Sequence, residues 1–584
     1  MMLVMATRTG TAHVVTTRRK YKDRVYTTHL LRRSYREGGK VKNQTLGNLS
    51  HLPEPLIEVI RRWLRGEIFV PAGEAFEITA SRPHGHVQAV RTAMQRLDMA
   101  ALLSAKASRS RQLVLAMIAA RVLAPHTKLA TTRWWHSCTL AEDFGVADAS
   151  AEELYAAMDW LLARQDRIQG KLAARHLGAG ALVLYDLSSS YMEGTQCPLA
   201  RRGYSRDGKK GRLQVNYGLI TDARGCPVAV SVHAGNVADG STFMAEVQRV
   251  RERFGVAQLV MVGDRGMIGQ QSIEQMRQMN AQAPAVDWIT ALKGVSIRAL
   301  VEGGQLQLGL FDERSLIELS TPEYPGERLL ACRNPQLARL RAHKREALLQ
   351  ATEEQLQRIS ERVAAGRLKG ADAIGLCVGR CINKYKMAKH FALEISQERF
   401  GFARKHEAIA AEAALDGVYI IRTSLDAQRM DAAQCVRSYK ALAQVERAFR
   451  SLKTMHLHVR PIHHRLADRV RAHILLCMLA YYVQWHLCEA WRELTFADTE
   501  QQARATRDPV APAQRSRAAR RKAASGMLPD GTPAHSFRTL LTELATVVRN
   551  TCRMPGAGAP TFEVLTTPNA TQRRALQLAE QIRV

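Results

Sequence analysis

Two aspartates in this 584-residue chain directly follow short apolar runs. Asp186 follows Val183-Leu184-Tyr185, and Asp264 follows Val260-Met261-Val262-Gly263. Apolar runs of this length predict buried strands, and an acid at the end of a buried strand lies at the rim of a sheet, where a site can be built. A strand-end aspartate can equally cap the next helix, so for either residue alone both roles stay open.

A third acid, Glu446, lies in a segment whose residues form two stripes when successive residues are placed about 100° apart, as in an α-helix. The apolar stripe consists of Leu442, Val445, Phe449 and Leu452. The polar stripe consists of Tyr439, Glu446, Arg450 and Lys453. We expect the apolar stripe to hold the helix on a sheet while the polar stripe faces the rim. A solvated face with Glu–Arg and Glu–Lys pairs is the alternative.

Asp186, Asp264 and Glu446 together predict a site for two hard divalent cations. Carboxylate oxygens suit Mg²⁺ or Mn²⁺, which keep substrate oxygens and water in their other positions. Two such ions about 4 Å apart activate the attacking oxygen and stabilise the leaving oxygen of a phosphodiester. Because the carboxylates repel one another, we expect the metal ions to keep all three ionised.

The elements that must position these acids have the order strand, strand, strand, helix, strand, helix, strand. This order predicts a mixed α/β fold, an RNase H-like catalytic core in which helices flank a mixed sheet. The predicted strands are 181–187, 213–221, 227–233, 259–262 and 288–293, and the predicted helices are 241–254 and 270–280. The core then resumes with a strand at 417–423 and with helices at 431–457 and 468–494.

The sequence divides into six regions. Residues 1–75 predict a basic β-meander plus a helix, with strands at 12–17, 25–34 and 40–46, and 76–178 predict a helical domain; both are expected to bind DNA. A solvated sheet face is the alternative for the meander. The catalytic core occupies 179–299 and 416–500, and an insertion occupies 300–415 with a long helix at 336–365. Residues 501–584 combine a basic linker, disordered over 503–533, with a C-terminal helical region.

The overall charge indicates the class of partner. Lys plus Arg outnumber Asp plus Glu by 84 to 54, which gives a net charge of +30. Such an excess favours a polyanion, and nucleic acid is the usual one. The longest apolar runs fall well short of the roughly 20 residues that span a bilayer, and no secretory signal is apparent. Ten sparse cysteines without a CxxC pair indicate reduced thiols. We therefore expect a cytoplasmic, nucleic-acid-associated protein without a membrane partner.

Five histidines cluster after the Glu446 helix, and their spacing matches no compact zinc pattern. They are His456, His458, His463, His464 and His473. Arginines lie among them, so DNA contact and simple packing are both open interpretations.

These segments resemble the insertion-sequence DDE transposases, in the superfamily named for insertion sequence four. Its signature is Tyr, two residues, Arg, three residues, Glu, six residues, Lys. Tyr439, Glu446 and Lys453 match at that spacing, and Leu442 stands at the Arg position. The segments 204–208 and 234–239 and the end of the meander, 45–49, also resemble one branch of that superfamily.

The resemblance implies an enzyme that cuts and joins double-stranded DNA at the terminal inverted repeats of a bacterial element. It implies Asp186, Asp264 and Glu446 as metal ligands, with Tyr439 and Lys453 on the phosphate backbone near the cleaved end. Arg447 or Arg450 would replace the missing positive charge. It also implies a β-rich insertion in the core, a location at the nucleoid and at least a homodimer on DNA. A nuclease without strand transfer and a non-catalytic DNA-binding relic are the alternatives.

Overall fold

The computed structural model describes residues 10–67, 69, 75–282, 286–501, 506–554 and 559–583. The chain forms two units. One comprises Met1–Ser81 with Asn550–Val564, and the other comprises Arg82–Arg549 with Leu565–Val584.

The N-terminal unit contains the predicted meander. Its three antiparallel strands are β1 (Ala12–Tyr21), β2 (Arg24–Glu37) and β3 (Lys40–Asn48). Gly38 and Gly39 make the turn between β2 and β3 with φ of 59° and 78°, a conformation that glycine adopts without steric cost. The three predicted strands are confirmed, and each is longer than the sequence indicated. Helix α1 (Glu54–Leu64) comes next, and β4 (Glu77–Pro83) joins a second small sheet with β16 (Val548–Arg553) and β17 (Thr561–Leu565).

The larger unit contains a nine-stranded mixed sheet. Its strand order is β11-β12-β15-β10-β9-β5-β7-β6, and β8 also pairs with β7. The strands are β5 (Ala181–Tyr191), β6 (Arg201–Arg202), β7 (Leu213–Thr221), β8 (Pro227–Ala234), β9 (Leu259–Val262), β10 (Val286–Ala291), β11 (Leu316–Leu319), β12 (Arg328–Arg333) and β15 (Val418–Thr423). The remaining strands, β13 (Phe391–Ile395) and β14 (Phe400–Arg404), form a separate hairpin.

The sheet is surrounded by helices of the same unit. In the N-terminal half these are α2 (Gly85–Arg96), α3 (Met99–Leu103), α4 (Arg109–Leu123), α5 (Lys128–Trp134), α6 (Leu140–Asp143), α7 (Ala151–Leu162), α8 (Gln165–His176), α9 (Asp239–Gln248) and α10 (Gln270–Gln282). The later ones are α11 (Gly294–Glu302), α12 (Pro335–Ala364), α13 (Ala371–Tyr385), α14 (His406–Ala414), α15 (Ala432–Lys440), α16 (Leu442–Arg450), α17 (Ala467–Ala490), α18 (Arg517–Ser525), α19 (Phe537–Ala545) and α20 (Ala570–Glu580).

The centre of the sheet has the strand order β8-β7-β5-β9-β10. The first three strands in sequence, β5, β7 and β8, pair antiparallel, whereas β9 and β10 run parallel to β5. Helix α9 leads into β9 and α10 leads into β10, as the alternation of patterns predicted. The mixed α/β fold class is therefore confirmed.

Helix α17 is the central helix of the larger unit. Nearly every residue from Ala472 to Leu487 is buried, because α17 contacts α2, α4 and α7 as well as β8. The helices of residues 85–176 thus share one core with the sheet. Within the described residues no single helix is long and apolar enough to cross a bilayer, although the bent pair Arg109–Leu123 and Lys128–Ser137 has sufficient length and apolar composition.

The predicted β-rich insertion is wrong in composition. Strands β11 and β12 extend the main sheet, and the segment between β12 and β15 is mostly helical, with the 30-residue α12 and the 15-residue α13. Leu349 and Leu356 of α12 share a buried cluster with Ile374 and Val378 of α13. Two long amphipathic helices can bury their apolar faces on one another, so the hairpin β13–β14 is the minor component.

The disordered linker predicted for 503–533 is also wrong for the part that the structure describes, 506–533; residues 503–505 lie outside it. Val510 is 1% exposed, and the amino group of Lys440 donates to the carbonyl oxygens of Val510 and Ala511, each at 3.1 Å. The side-chain amide of Asn334 donates to Val510 as well. Composition favoured disorder, but hydrogen bonds from the side chains of distant residues to its backbone carbonyl oxygens help to order this segment.

A buried ion pair joins β12, β15 and α10. The Glu327 carboxylate, fully buried, accepts hydrogen bonds from Arg422 at 2.5 Å and from Arg277 at 2.8 Å. We expect Glu327→Ala to lower the free energy of unfolding by about 3–5 kcal/mol, because it leaves the Arg422 charge buried without a carboxylate partner. Removal of an exposed partner, Glu493→Ala at Arg574, should cost less than about 1 kcal/mol. Thermal unfolding midpoints at one scan rate measure both, and equal midpoints would contradict this account.

Candidate active site

Asp186 and Asp264 lie at matched positions on neighbouring parallel strands. Leu184 of β5 is level with Val262 of β9, and each aspartate comes two residues later. Neighbouring strands are about 4.8 Å apart, so the two side chains start close together. One detail differs from the sequence prediction: β9 ends at Val262, whereas β5 continues past Asp186 to Tyr191 because β7 pairs with it from Leu184 to Tyr191.

Helix α16 brings Glu446 to the face of β5 that carries Asp186. Tyr217 of β7 is paired with Ser188, and Ser188 shares a strand face with Asp186 because side chains alternate along a strand. The Phe449 ring of α16 packs edge-on against Tyr217 with centroids 5.7 Å apart. Val445, Ala448 and Phe449 are buried, whereas Glu446 is exposed. The apolar stripe therefore holds the helix on the sheet, as the periodicity predicted.

The predicted single helix over 431–457 is wrong, because the segment is divided. Helix α15 begins after Asp431, whose carboxylate accepts from the Gln434 amide, and it ends at Lys440. Helix α16 begins at Leu442, and Ser451–Met455 then forms a turn of π-helix. Tyr439, Glu446 and Lys453 consequently belong to three consecutive segments instead of one regular helix.

The three acids are close enough to act on one another electrostatically. The pKa of Asp186 is raised to about 7, mainly by burial and further by the charges of Asp264 and Glu446. The amide of Leu187 and the charge of Arg206 oppose this rise. The structure thus brings all three predicted acids together, in surroundings where burial and the two neighbouring carboxylates outweigh the charge of Arg206 at Asp186.

Asp264 is held by the backbone that comes after it. Its Oδ1 accepts from the amides of Gly266 and Met267 at 2.9 and 2.7 Å. The Thr290 hydroxyl donates to its carbonyl oxygen at 3.1 Å. Oδ1 is thereby occupied and the carboxylate is oriented, while its side chain remains exposed and available to a ligand.

Tyr439 and Lys453 lie beside the acids. The pKa of Tyr439 is raised to about 12 by burial and by the charges of Asp264 and Glu446, so its phenol stays a neutral hydrogen-bond donor. The Lys453 amino group is 3.0 Å from the carboxylate of the buried Asp207. Burial lowers the pKa of Lys453 and Asp207 partly restores it. An ammonium group has three donors, so this ion pair leaves others for a phosphate.

Two residues that the sequence did not single out, Arg206 and Asp207, belong to the same site. Arg206 acts electrostatically on both Asp186 and Lys453, and its guanidinium forms an ion pair with Asp239. Asp207 binds Lys453 and also accepts from the Tyr191 amide at 3.2 Å. Their only signal in the sequence was their position in the segment 204–208, which resembled the family.

The two arginines predicted as replacements for the missing signature arginine differ in their surroundings. Arg447 is exposed on α16, and its charge acts on Tyr481 of α17. Arg450 is exposed one turn further along the same helix. Arg206 is the arginine that acts on Asp186.

The donor set of the acids fits hard divalent cations. Asp186, Asp264 and Glu446 offer only carboxylate oxygens, and the raised pKa of Asp186 reflects its burial and, to a lesser extent, the neighbouring negative charges. Within the described part of the chain their ligand atoms do not all lie within 4.8 Å of one another. A site for two ions about 4 Å apart is wider than a cage around one ion, so an open arrangement suits it.

A second group of ligand types, His176, Cys226 and His486, does lie within 4.8 Å. Burial lowers the pKa of both histidines, and the nearby charges of Arg175 and Arg224 lower it further. Those positive charges disfavour an additional cation, and the His176 ring is 3.0 Å from the Tyr482 hydroxyl. We interpret this group as packing.

Comparison with known proteins identifies the class. The family profile of the transposase DDE domain matches residues 181–483, which contain all three acids. The profile of the IS1634 family transposase N-terminal domain matches residues 14–71. The chain therefore belongs to the insertion-sequence DDE transposases, in the IS1634 family. It is a DNA transposase, and the proteins of this class generally use divalent metal ions.

The remaining comparisons do not refine this family assignment. No curated protein matches the chain. A cryo-EM structure of the piggyBac transposase synaptic complex with hairpin DNA aligns over 79% of this chain and 76% of that chain, with 8% identity and a TM-score of 0.34.

Gly225, in the turn between β7 and β8, allows α16 to approach the sheet closely. Its φ is +86°, and a Cβ there would lie 2.7 Å from the Cβ of Gln444 on α16. We expect Gly225→Ala to displace the Glu446 helix and to reduce DNA cleavage at least tenfold. The backbone strain costs roughly 1–2 kcal/mol and the overpacking about 1–3 kcal/mol more.

Gly255→Ala is the matched control, because Gly255 has φ of +70° and nothing within 4 Å of a new Cβ. It should lower the thermal midpoint by the backbone strain alone and leave cleavage unchanged. Equal cleavage by the two variants would show that Gly225 does not position α16.

Proposed function

We propose that this transposase binds the terminal inverted repeats of its element and catalyses strand cleavage and strand transfer with Asp186, Asp264 and Glu446. The observation that carries the proposal is the convergence of these acids on one face of the sheet, beside the donors Tyr439, Lys453 and Arg206. We further infer that the core is RNase H-like. The central strand order β8-β7-β5-β9-β10, with β5 at its middle, supports this assignment.

Asp186, Asp264 and Glu446 would hold two Mg²⁺ or Mn²⁺ ions. When bound, these ions would activate the attacking oxygen and stabilise the leaving oxygen of an in-line phosphodiester displacement. The chain's own contribution is to place the scissile phosphate. Tyr439 supplies a neutral donor, and Lys453, held by Asp207, supplies a positioned positive charge. Arg206 adds a second cation close to Asp186.

The N-terminal meander is the proposed contact to the repeats. Eight of its basic side chains are exposed, and a Lys42–Glu37 ion pair at 2.9 Å involves one of them. The exposed residues are Arg18, Arg19, Lys20, Lys22, Arg24, Arg36, Lys40 and Lys42. A sheet with many exposed positive side chains gains affinity for DNA, because its binding releases counterions from the DNA. We propose that two copies assemble on DNA to pair the two ends, in the cytoplasm at the nucleoid.

The acid triad is tested by Glu446→Gln, which keeps the size of the side chain and removes its charge. With a labelled element end and a target plasmid in Mg²⁺, we expect nicking and joining to fall by at least about 10³-fold, as for other groups that stabilise a transition state directly. DNA binding should persist, because Glu446 is exposed and removal of a negative charge does not weaken attraction to phosphate.

Glu354→Gln on α12 is the matched control, since Glu354 is also an exposed helical glutamate. Its activity should equal that of the wild type. Cleavage by Glu446→Gln at the wild-type level would contradict the assignment of Glu446. Cleavage without joining by the wild-type protein would indicate a nuclease. DNA binding without cleavage by the wild-type protein would indicate a non-catalytic relic.

Metal binding has a readout apart from activity. Mn²⁺ or Mg²⁺ should raise the thermal midpoint of the wild-type chain, since a ligand of the folded state stabilises it by mass action. The same ions should have no effect on the double variant Asp186→Asn, Asp264→Asn. A chelator should abolish cleavage by the wild type. An equal metal-induced shift in the double variant would place the ions elsewhere.

A further inference from the structure

A basic pocket of about 350 Å³ lies beside the loop that comes after the proposed catalytic helix. Arg121 at the end of α4, Lys128 at the start of α5 and His473 of α17 line it together with loop residues such as Arg460 and His464. The described residues that line it include two arginines, one lysine and five histidines, and no aspartate or glutamate. Its composition therefore differs from that of the acid site.

The cations of this pocket are buried. Lys128 is 4% exposed and Arg121 is 7% exposed. Arg121 donates to the carbonyl oxygen of His126 at 3.1 Å and, more weakly, to those of Leu457 and His458. The pKa of Lys128 falls to about 7 because of its burial and the charge of Arg121. Neither side chain forms an ion pair with a carboxylate in the described part of the chain, although a buried charge is costly unless it is paired.

Burial keeps His464 and His473 of the pocket neutral, so they add no positive charge to that of the arginines and of the protonated form of Lys128. Burial lowers the pKa of His464 to about 4, and the charges of Lys128 and Arg469 lower it further. The pKa of His473 is also held well below its usual value, by burial and by the charges of Arg121 and Lys128. Its Nε2 is 2.9 Å from the Val459 carbonyl oxygen. Surroundings that depress the charged form of histidine disfavour a metal cation and favour an anion.

Arg460 connects the pocket to the acid site. Its guanidinium stacks on Tyr191 at 4.3 Å, and its Nε is 3.8 Å from the Asp207 carboxylate. The same carboxylate binds Lys453. A continuous series of charged groups, Lys453, Asp207 and Arg460, thus leads from the acid site to the pocket.

We propose that this pocket binds a phosphate group of the DNA that occupies the active site, with Lys128 and Arg121 as its charged ligands. The inference rests on the proposed function, because DNA is the source of the phosphate. An internal phosphodiester and a terminal phosphate present the same oxygens, and both suit a pocket that offers ammonium and guanidinium donors.

The test uses Lys128→Met in the full chain, with a duplex taken from the DNA that flanks the coding sequence. The variant should bind this duplex about tenfold more weakly, the loss expected for one charge-assisted contact. The slope of log affinity against log salt should fall by about 0.9, because one phosphate is no longer neutralised. The thermal midpoint of the free protein should not fall, since methionine removes an unpaired buried charge.

Lys522→Met is the matched control. Lys522 is also buried, at 5% exposure, but its amino group donates to the carbonyl oxygens of Thr495 and Ala497 at 3.3 Å. Its replacement should lower the thermal midpoint and leave DNA affinity and salt slope unchanged. A loss of affinity equal to that of Lys128→Met would overturn the proposal, because it would reflect net charge alone.

Single uncharged methylphosphonate substitutions locate the phosphate. A methylphosphonate at one position of the duplex should weaken binding by the wild type and should not weaken binding by Lys128→Met any further. If every substituted position weakens binding by Lys128→Met as much as it weakens binding by the wild type, the proposal is overturned. Removal of the 5′-phosphate distinguishes a terminal from an internal group. Cleavage of the same duplex is measured separately, so a failure to cleave counts against the proposed function and leaves the phosphate result readable.

Discussion

Burial of the Asp186 carboxyl group beside the charges of Asp264 and Glu446 is the constraint on which the rest of this structure depends. The pKa of Asp186 is raised partly by the other two charges, so the folded chain holds them close at an electrostatic cost. Such an arrangement persists only where packing fixes the segments that carry them. Two parallel strands in matched register fix the aspartates, and the buried stripe of α16 fixes the glutamate.

Other segments of the larger unit also hold the strands and the helix that carry these acids in place. Helix α17 is buried along most of its length, and it joins the N-terminal helices to the sheet in one core. The Gln484 side-chain amide of α17 donates to the Ser451 hydroxyl at 3.0 Å, directly after α16. The Lys440 amino group binds the carbonyl oxygens of 510 and 511 beside the break between α15 and α16. Both ends of the glutamate helix are therefore tied to other parts of the chain, which limits its movement away from the sheet.

Sequence reasoning identified the acids and the order of the core because both leave local signals. Apolar runs before Asp186 and Asp264 and the double stripe around Glu446 reflect burial, which each segment records in its own residues. Sequence reasoning failed where contacts between residues distant in the chain determine the local structure. The order of the segment around Val510 and the role of Asp207 both depend on partners between about 70 and 250 residues away. The helical insertion was missed because the resemblance outweighed the periodicity of α12.

The charge distribution of the larger unit has two complementary parts. The acid site brings three carboxylates together, with Arg206 as the cation that acts on Asp186, and the basic pocket contains the buried cations Lys128 and Arg121, for which the described residues supply no carboxylate partner. If these groups served stability alone, they would be expected to pair with each other, as Glu327 and Arg422 do. Asp207 instead lies between the two parts and contacts Lys453 and Arg460. A polyanion that carries metal ions compensates both sets at once, so the separation of charge is an argument for a bound nucleic acid strand.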